Sequence, residues 1–177
     1  MLLKRIIRLG IAVAMIGGAS SAQNGSSSKH PDQDSPDLYR SFFFFHEDFG
    51  KWTDARISAE TDSVRRDKIL ESSAKYLGIV PSEFTALEAV TSKVVGDMRA
   101  ISDEAHAYVV SLKSKGIPAD RKVLAAFEAR RLAAVTAGVA QMKNGLSPES
   151  WQGLYGYINN QHRQHVNVSS SGAPPLP

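Results

Sequence analysis

Apolar side chains recur at intervals of four and three residues along most of this chain, and few folds accept that spacing. In DLYRSFFFFHEDFGKWTDARI, Leu38, Phe42, Phe45, Phe49 and Trp52 follow one another at 4, 3, 4 and 3. A helix turns about 100° per residue, so this spacing collects them on one face. A second stripe follows Pro81: Phe84, Leu87, Val94, Met98, Ile101, Ala105, Tyr108 and Leu112. A third contains Leu124, Phe127, Leu132, Val135, Val139 and Met142, and a shorter fourth contains Trp151, Leu154, Tyr155 and Ile158. Residues 62–77 fit a helix less regularly. Strict alternation never persists long enough to mark a strand. The spacing predicts an all-α fold, an up-and-down bundle of four to five helices near 37–59, 62–77, 81–115, 118–143 and 148–165. Its long central pair is a helical hairpin turned at SKGIPAD, where Gly116 and Pro118 stop one helix and start the next. Gly96 is the expected bend in the first of that pair, because glycine weakens a helix interior.

The ends of the chain are not part of that pattern. Residues 1–22, MLLKRIIRLGIAVAMIGGASSA, combine a basic start (Lys4, Arg5, Arg8), a short apolar run and small residues at Ser20 and Ala22. Those are the parts of an export signal cleaved after Ala22, and the apolar run falls short of the ~20 residues that span a bilayer. The flanks QNGSSSKHPDQDSP (23–36) and SSSGAPPLP (169–177) have little to bury and read as a disordered linker and a disordered Pro-rich tail. Between them, 37–168 is one helical domain. The leader holds three of the 21 Lys and Arg and none of the 18 Asp and Glu, so its removal leaves 18 of each. A chain of no net charge is poorly suited to a phosphate backbone, and no nucleic acid is expected as a partner. With no Cys, thiol catalysis, haem attachment through Cys and Cys-based zinc sites are excluded.

One frame occurs twice, as GIVPSEFTAL (78–87) and GLSPESWQGL (145–154). Gly78 and Gly145 suit the left-handed residue that closes a helix. Pro81 and Pro148 suit the first position of the next helix, where the missing N–H had no partner. Ser147 is a good N-cap; Val80 is not, although Glu83 in the first turn favours the helix dipole. Phe84 and Trp151 then open their apolar stripes. Each copy therefore marks a helix end, a turn and a helix start.

LSPES (146–150) resembles the Leu-Thr-x-x-Gln helix start of the Spy/CpxP family of periplasmic helical proteins, with Ser147 at the Thr position and Ser150 where the family has Gln. IVPSE (79–83) is a fainter copy. The resemblance implies an all-helical periplasmic protein that binds unfolded clients or an envelope-stress partner. Over residues 38–165 the chain also resembles small uncharacterised secreted bacterial proteins, a resemblance that implies no activity.

Catalytic signatures are missing: the chain contains no Gly-x-Ser-x-Gly, no His-Glu-x-x-His and no phosphate-cradling glycine loop. DEAH sets Asp103 and His106 three apart, and HRQH does the same for His162 and His165. These four are the residues from which a helical metal site would be assembled. Helical di-metal sites need a Glu-x-x-His pair and further carboxylates, and no such pair occurs. No metal, no cofactor and no enzymatic activity are expected.

The run FFFF (42–45) does not fit a one-sided stripe, because Phe43 and Phe44 point well away from the face that holds Phe42 and Phe45. Either this helix is sandwiched and buried all round, or Phe43 and Phe44, with Trp52, form an aromatic patch that docks a protein partner. Glu47, Asp48 and Asp54 beside that patch disfavour an anionic membrane as its target. The expected function is that of an exported, non-catalytic helical protein, an envelope-stress or client-binding module, with Phe43, Phe44 and Trp52 as its partner-binding residues. The alternatives are a small-molecule or metal-binding bundle and a secreted protein with no chaperone role. Stable membrane insertion after signal cleavage is not expected.

Overall fold

The computed structural model describes residues 33–166. The expected leader, most of the expected linker and the tail lie outside them. The described residues form an all-α bundle: α1 (Pro36–Ala59), α2 (Ser63–Leu77), α3 (Phe84–Lys113), α4 (Arg121–Gly145), α5 (Pro148–Gly156) and a final turn α6 (Arg163–His165). A 3₁₀ turn, Pro81–Glu83, precedes α3, and a π-helical segment, Tyr157–His162, joins α5 to α6. Among the described residues there is no strand.

Local chemistry sets the helix starts. Side-chain oxygens of Ser35, Asp62, Asp120 and Ser147 accept backbone N–H bonds at the starts of α1, α2, α4 and α5. Pro36 and Pro148 occupy the first turns of α1 and α5. Gly78 ends α2 at φ 76°, the left-handed cap anticipated for it. Gly145 departs from that reading. Helix α4 runs through it, and Leu146 ends the helix in extended conformation, with its N–H bonded to the Met142 carbonyl. Helix α3 is continuous through Gly96.

The core gathers Leu38, Phe42 and Phe43 of α1, Leu77 of α2, and Phe84, Leu87, Val94, Val95 and Met98 of α3. Val135 and Met142 of α4 complete it with Leu154 and Ile158 near the C-terminus. It occupies one end of the hairpin only. From residue 102 to residue 134 no side chain is buried, so the outer halves of α3 and α4 pack against each other as an arm. The arm is pinned by Arg130, which grips both oxygens of Glu104 at 2.5 and 3.0 Å.

The fold begins earlier than position 37. Asp34 holds a left-handed φ of 58° and accepts hydrogen bonds from the hydroxyls of Tyr39 (3.1 Å) and Tyr155 (2.9 Å). Its own N–H donates to the side-chain oxygen of Asn159 at 3.1 Å. Residues 33–36 are thus tied to the C-terminal helix, where a linker was expected. The π-helical segment makes this possible, since its wider turn brings Tyr157, Ile158, Asn159 and His162 all to the buried side.

The two copies of the repeated frame lie against each other. Glu83 accepts from the N–H of Ser147 at 2.9 Å and from its hydroxyl at 3.1 Å, while Ser150 Oγ accepts from the N–H of Val80 at 3.0 Å. Gly78 and Gly153 meet backbone to backbone. A Cβ on Gly153 would fall 2.8 Å from the Gly78 carbonyl carbon and closer still to its oxygen.

Candidate docking face

The spacing of four and three that builds the core continues to the open end of α1. Phe45, Phe49, Trp52 and Arg56 form one edge of that helix, and α2 lies alongside it with Ser72, Ser73 and Tyr76. Because Ser72 and Ser73 are small, α2 leaves an apolar cleft of about 290 Å³ lined by these two serines, Phe49, Trp52, Arg56 and Tyr76. Phe49 is its floor. The ring stacks on Tyr76 at 5.5 Å and 29° and lies 5.9 Å from Trp52. Trp52 is 46% exposed and Tyr76 52% exposed, so the walls present an indole and a phenol to solvent. The Arg56 guanidinium sits 4.6 Å from the Trp52 ring centroid, a cation over an aromatic face.

The aromatic contacts continue inward from the cleft. Tyr76 meets Tyr157 edge-on at 5.2 Å, and the Tyr157 hydroxyl lies 3.3 Å from that of Tyr76. Burial, followed by that hydrogen bond, raises the Tyr157 phenol far above its ordinary pKa. Phe45 stacks on Tyr157 at 6.2 Å and approaches His162 at 5.2 Å. His162 is buried, with Nε2 3.2 Å from Ser41 Oγ. Burial, then the charge of His165, lowers it to about 4, so it is neutral near pH 7. His46 is fully buried, its Nδ1 3.0 Å from Thr91 Oγ1, and burial lowers it to about 4 as well. Neither ring makes an ion pair among the described residues, and both serve as polar members of the core.

Of the three residues expected to bind a partner, two are exposed and one is not. Phe43 is a correction. Its ring is fully buried against Gly138 and Val94, because α4 crosses α1 where it has no side chain. Phe44 is 36% exposed but stands more than two turns before Trp52 and does not line the cleft. Trp52 lies on the stripe expected to be core, yet it is a cleft wall. The sequence reading missed Tyr76 and Arg56. Arg56 continues the spacing 45, 49, 52, and Tyr76 precedes the glycine that ends its helix, so both signals were present but unspecific.

The residues weighed for a metal do not converge. Asp103 and His106 are exposed on the arm, and His165 is exposed while His162 faces the core. No group of three or more potential ligands occurs among the described residues. Comparison with known proteins finds no matching family model, no matching curated protein and no matching solved structure.

Proposed function

We propose that this is an exported, non-catalytic helical protein that binds protein partners through the Trp52–Tyr76 cleft. The observation that carries the reading is the pair of half-exposed rings standing over Phe49 with Arg56 beside them. Trp, Tyr and Arg are the side chains most often found to dominate protein interfaces, because the rings offer a large rigid contact area, the guanidinium a planar hydrogen-bonding fork, and all three a polar group. The apolar floor favours an aliphatic or aromatic side chain presented by an unfolded or extended segment. Cleft walls fixed by ring stacking lose little conformational freedom when such a segment binds. Export rests on the basic and apolar leader. No helix among the described residues is long and apolar enough to cross a membrane.

The test is suppression of aggregation of reduced, unfolded lactalbumin by the chain from Gln23 onward. The variant Trp52→Ala, Tyr76→Ala is expected to lose most of that suppression while keeping its helical circular-dichroism signal, since both side chains are about half exposed. Full suppression by a folded double variant, or none by the unaltered chain, overturns the reading.

A further inference from the structure

We propose that the apex of the α3–α4 hairpin is a peripheral docking point for an anionic phospholipid surface. It is the far end of the arm, where α3 ends at Lys113 and α4 starts at Arg121. Lys113, Lys115, Arg121 and Lys122 are all exposed there, and none makes an ion pair among the described residues. Elsewhere seven cations do: Arg40, Lys51, Arg65, Lys93, Arg99, Arg130 and Arg131. Between residues 105 and 127 the single carboxylate is Asp120, whose Oδ1 accepts from the N–H of Lys122 at 2.7 Å, so four cations face one anion there. The apex is therefore a concentration of uncompensated positive charge on a chain with equal numbers of cations and anions once the leader is removed. That charge draws this end of the arm towards an anionic surface.

An apolar residue stands at the centre of those charges. Ile117 is 50% exposed at the top of the turn, and Val110 is exposed in the last turn of α3. The turn holds Ile117 in place. Gly116 takes the left-handed φ of 68°, its N–H bonds to the Lys113 carbonyl at 3.1 Å, and the Ile117 N–H bonds to the Leu112 carbonyl at 3.0 Å. The Asp120 N–H donates to the Tyr108 hydroxyl at 3.1 Å, which braces the other side. With these backbone groups satisfied, the turn can leave bulk water without stranding them. Cations around an exposed aliphatic side chain match a surface with phosphates outside and acyl chains beneath. A nucleic acid or an acidic polypeptide would engage the cations and leave Ile117 unused.

Co-sedimentation of the chain from Gln23 onward with vesicles tests this; the chain keeps every residue of the core, and the leader would bind vesicles by itself. The probes are vesicles of phosphatidylcholine alone and of phosphatidylcholine with phosphatidylglycerol, at low and high salt. Binding is expected only to the anionic vesicles, weakened by salt and unchanged by millimolar inorganic phosphate. Lys113→Gln, Lys115→Gln, Arg121→Gln, Lys122→Gln together should lower binding by at least about tenfold, and Ile117→Ser severalfold. All five side chains are exposed, so melting temperature serves as the check that the variants fold. Failure of the unaltered chain to sediment with anionic vesicles overturns the proposal. So does undiminished binding by the quadruple variant. If Ile117→Ser binds like the unaltered chain while the quadruple variant does not, the apex is a general polyanion site and the lipid assignment falls. Trp52→Ala, Tyr76→Ala should bind vesicles normally, which separates this apex from the cleft.

Discussion

Glu83, from the first copy of the repeated frame, caps the helix that begins in the second copy by accepting from both the N–H and the hydroxyl of Ser147. The frame thus does more than start two helices. In return Ser150, from the second copy, satisfies the N–H of Val80, which has no cap of its own. Each helix start completes the other, which explains why a poor N-cap at Val80 is tolerated.

Replacing Glu83 by Ala should cost about 1–2 kcal/mol, the usual effect of losing a capping interaction. Hydrogen bonding from Ser150 and then Ser147 holds the Glu83 carboxyl below its ordinary range. A depressed carboxylate stabilises the fold above the unfolded value near 4.5, and that contribution fades as pH falls through the lower folded value. Urea titrations should therefore show the gap between the unaltered chain and Glu83→Ala at pH 7, closing as pH falls below the unfolded value of 4.5 and the carboxyl is protonated. An equal gap at every pH would show that the carboxylate charge plays no part.

The same joint makes Gly153 intolerant. Its neighbour is not a flexible side chain but the backbone of Gly78, so an added methyl cannot be accommodated by a rotamer change. Gly153→Ala gains helix propensity worth ~1 kcal/mol, yet it must push α5 off the end of α2. A net loss of ~3 kcal/mol or more is expected, read as a fall in the denaturation midpoint. A midpoint that stays or rises would show that the two backbones separate easily.

Much of the fold was legible because periodicity and capping agree. Ser147 marks one helix start in the sequence and the apolar stripes supply most of the rest; Asp62 and Asp120 were not singled out as caps, and α4 begins at Arg121 rather than at Pro118. Those signals are local. The burial of Phe43 depends on the missing side chain of Gly138 in a distant helix, and nothing near FFFF announces that. Trp52 lies on the core stripe but is open because α2 sets the small Ser72 and Ser73 between it and Tyr76. The third and fourth stripes misled in a similar way. Leu124 and Tyr155 keep the period but stand exposed, since periodicity names a helix face without saying whether another helix covers it. Asp34 was placed in the linker because an aspartate amid Ser, Gly and Pro is compositionally ordinary. Its three partners are all aligned by the fold, two of them from the C-terminal helix.

Acid should destabilise this protein through its two buried histidines. Burial lowers both His46 and His162 from an ordinary 6.5 to about 4. Between those values the unfolded chain binds protons that the folded one refuses, so stability is full above pH 6.5 and falls as pH drops towards 4. Each histidine accounts for up to about 3 kcal/mol over that whole interval. The double variant His46→Met, Thr91→Val replaces both members of a buried hydrogen bond by apolar groups and leaves neither unsatisfied. Its melting temperature should fall about half as steeply between pH 6.5 and 4 as that of the unaltered chain. An unchanged slope would mean that His46 is not the group being titrated.

The aromatic run separates burial from exposure within two adjacent positions. Phe43→Ala removes a fully buried ring and leaves a cavity beside Val94 and Gly138, at an expected cost of ~3–5 kcal/mol. Phe44→Ala removes a ring that is about one third exposed and opens no enclosed cavity, so it should cost clearly less, about 1–2 kcal/mol. Gly138→Ala approaches the same contact from α4. Its Cβ would lie 2.9 Å from Phe43 Cζ and closer still to Val94 Cγ2, so overpacking of ~1–3 kcal/mol should outweigh the ~1 kcal/mol gained in helix propensity. Combining it with Phe43→Leu, which shortens the opposing side chain, should recover part of that loss, because the two residues share one contact and their effects are not additive. Denaturant titration of the four variants and the double variant decides the matter. Equal effects at Phe43 and Phe44, or strict additivity of Gly138→Ala with Phe43→Leu, would overturn the packing described for α1 and α4.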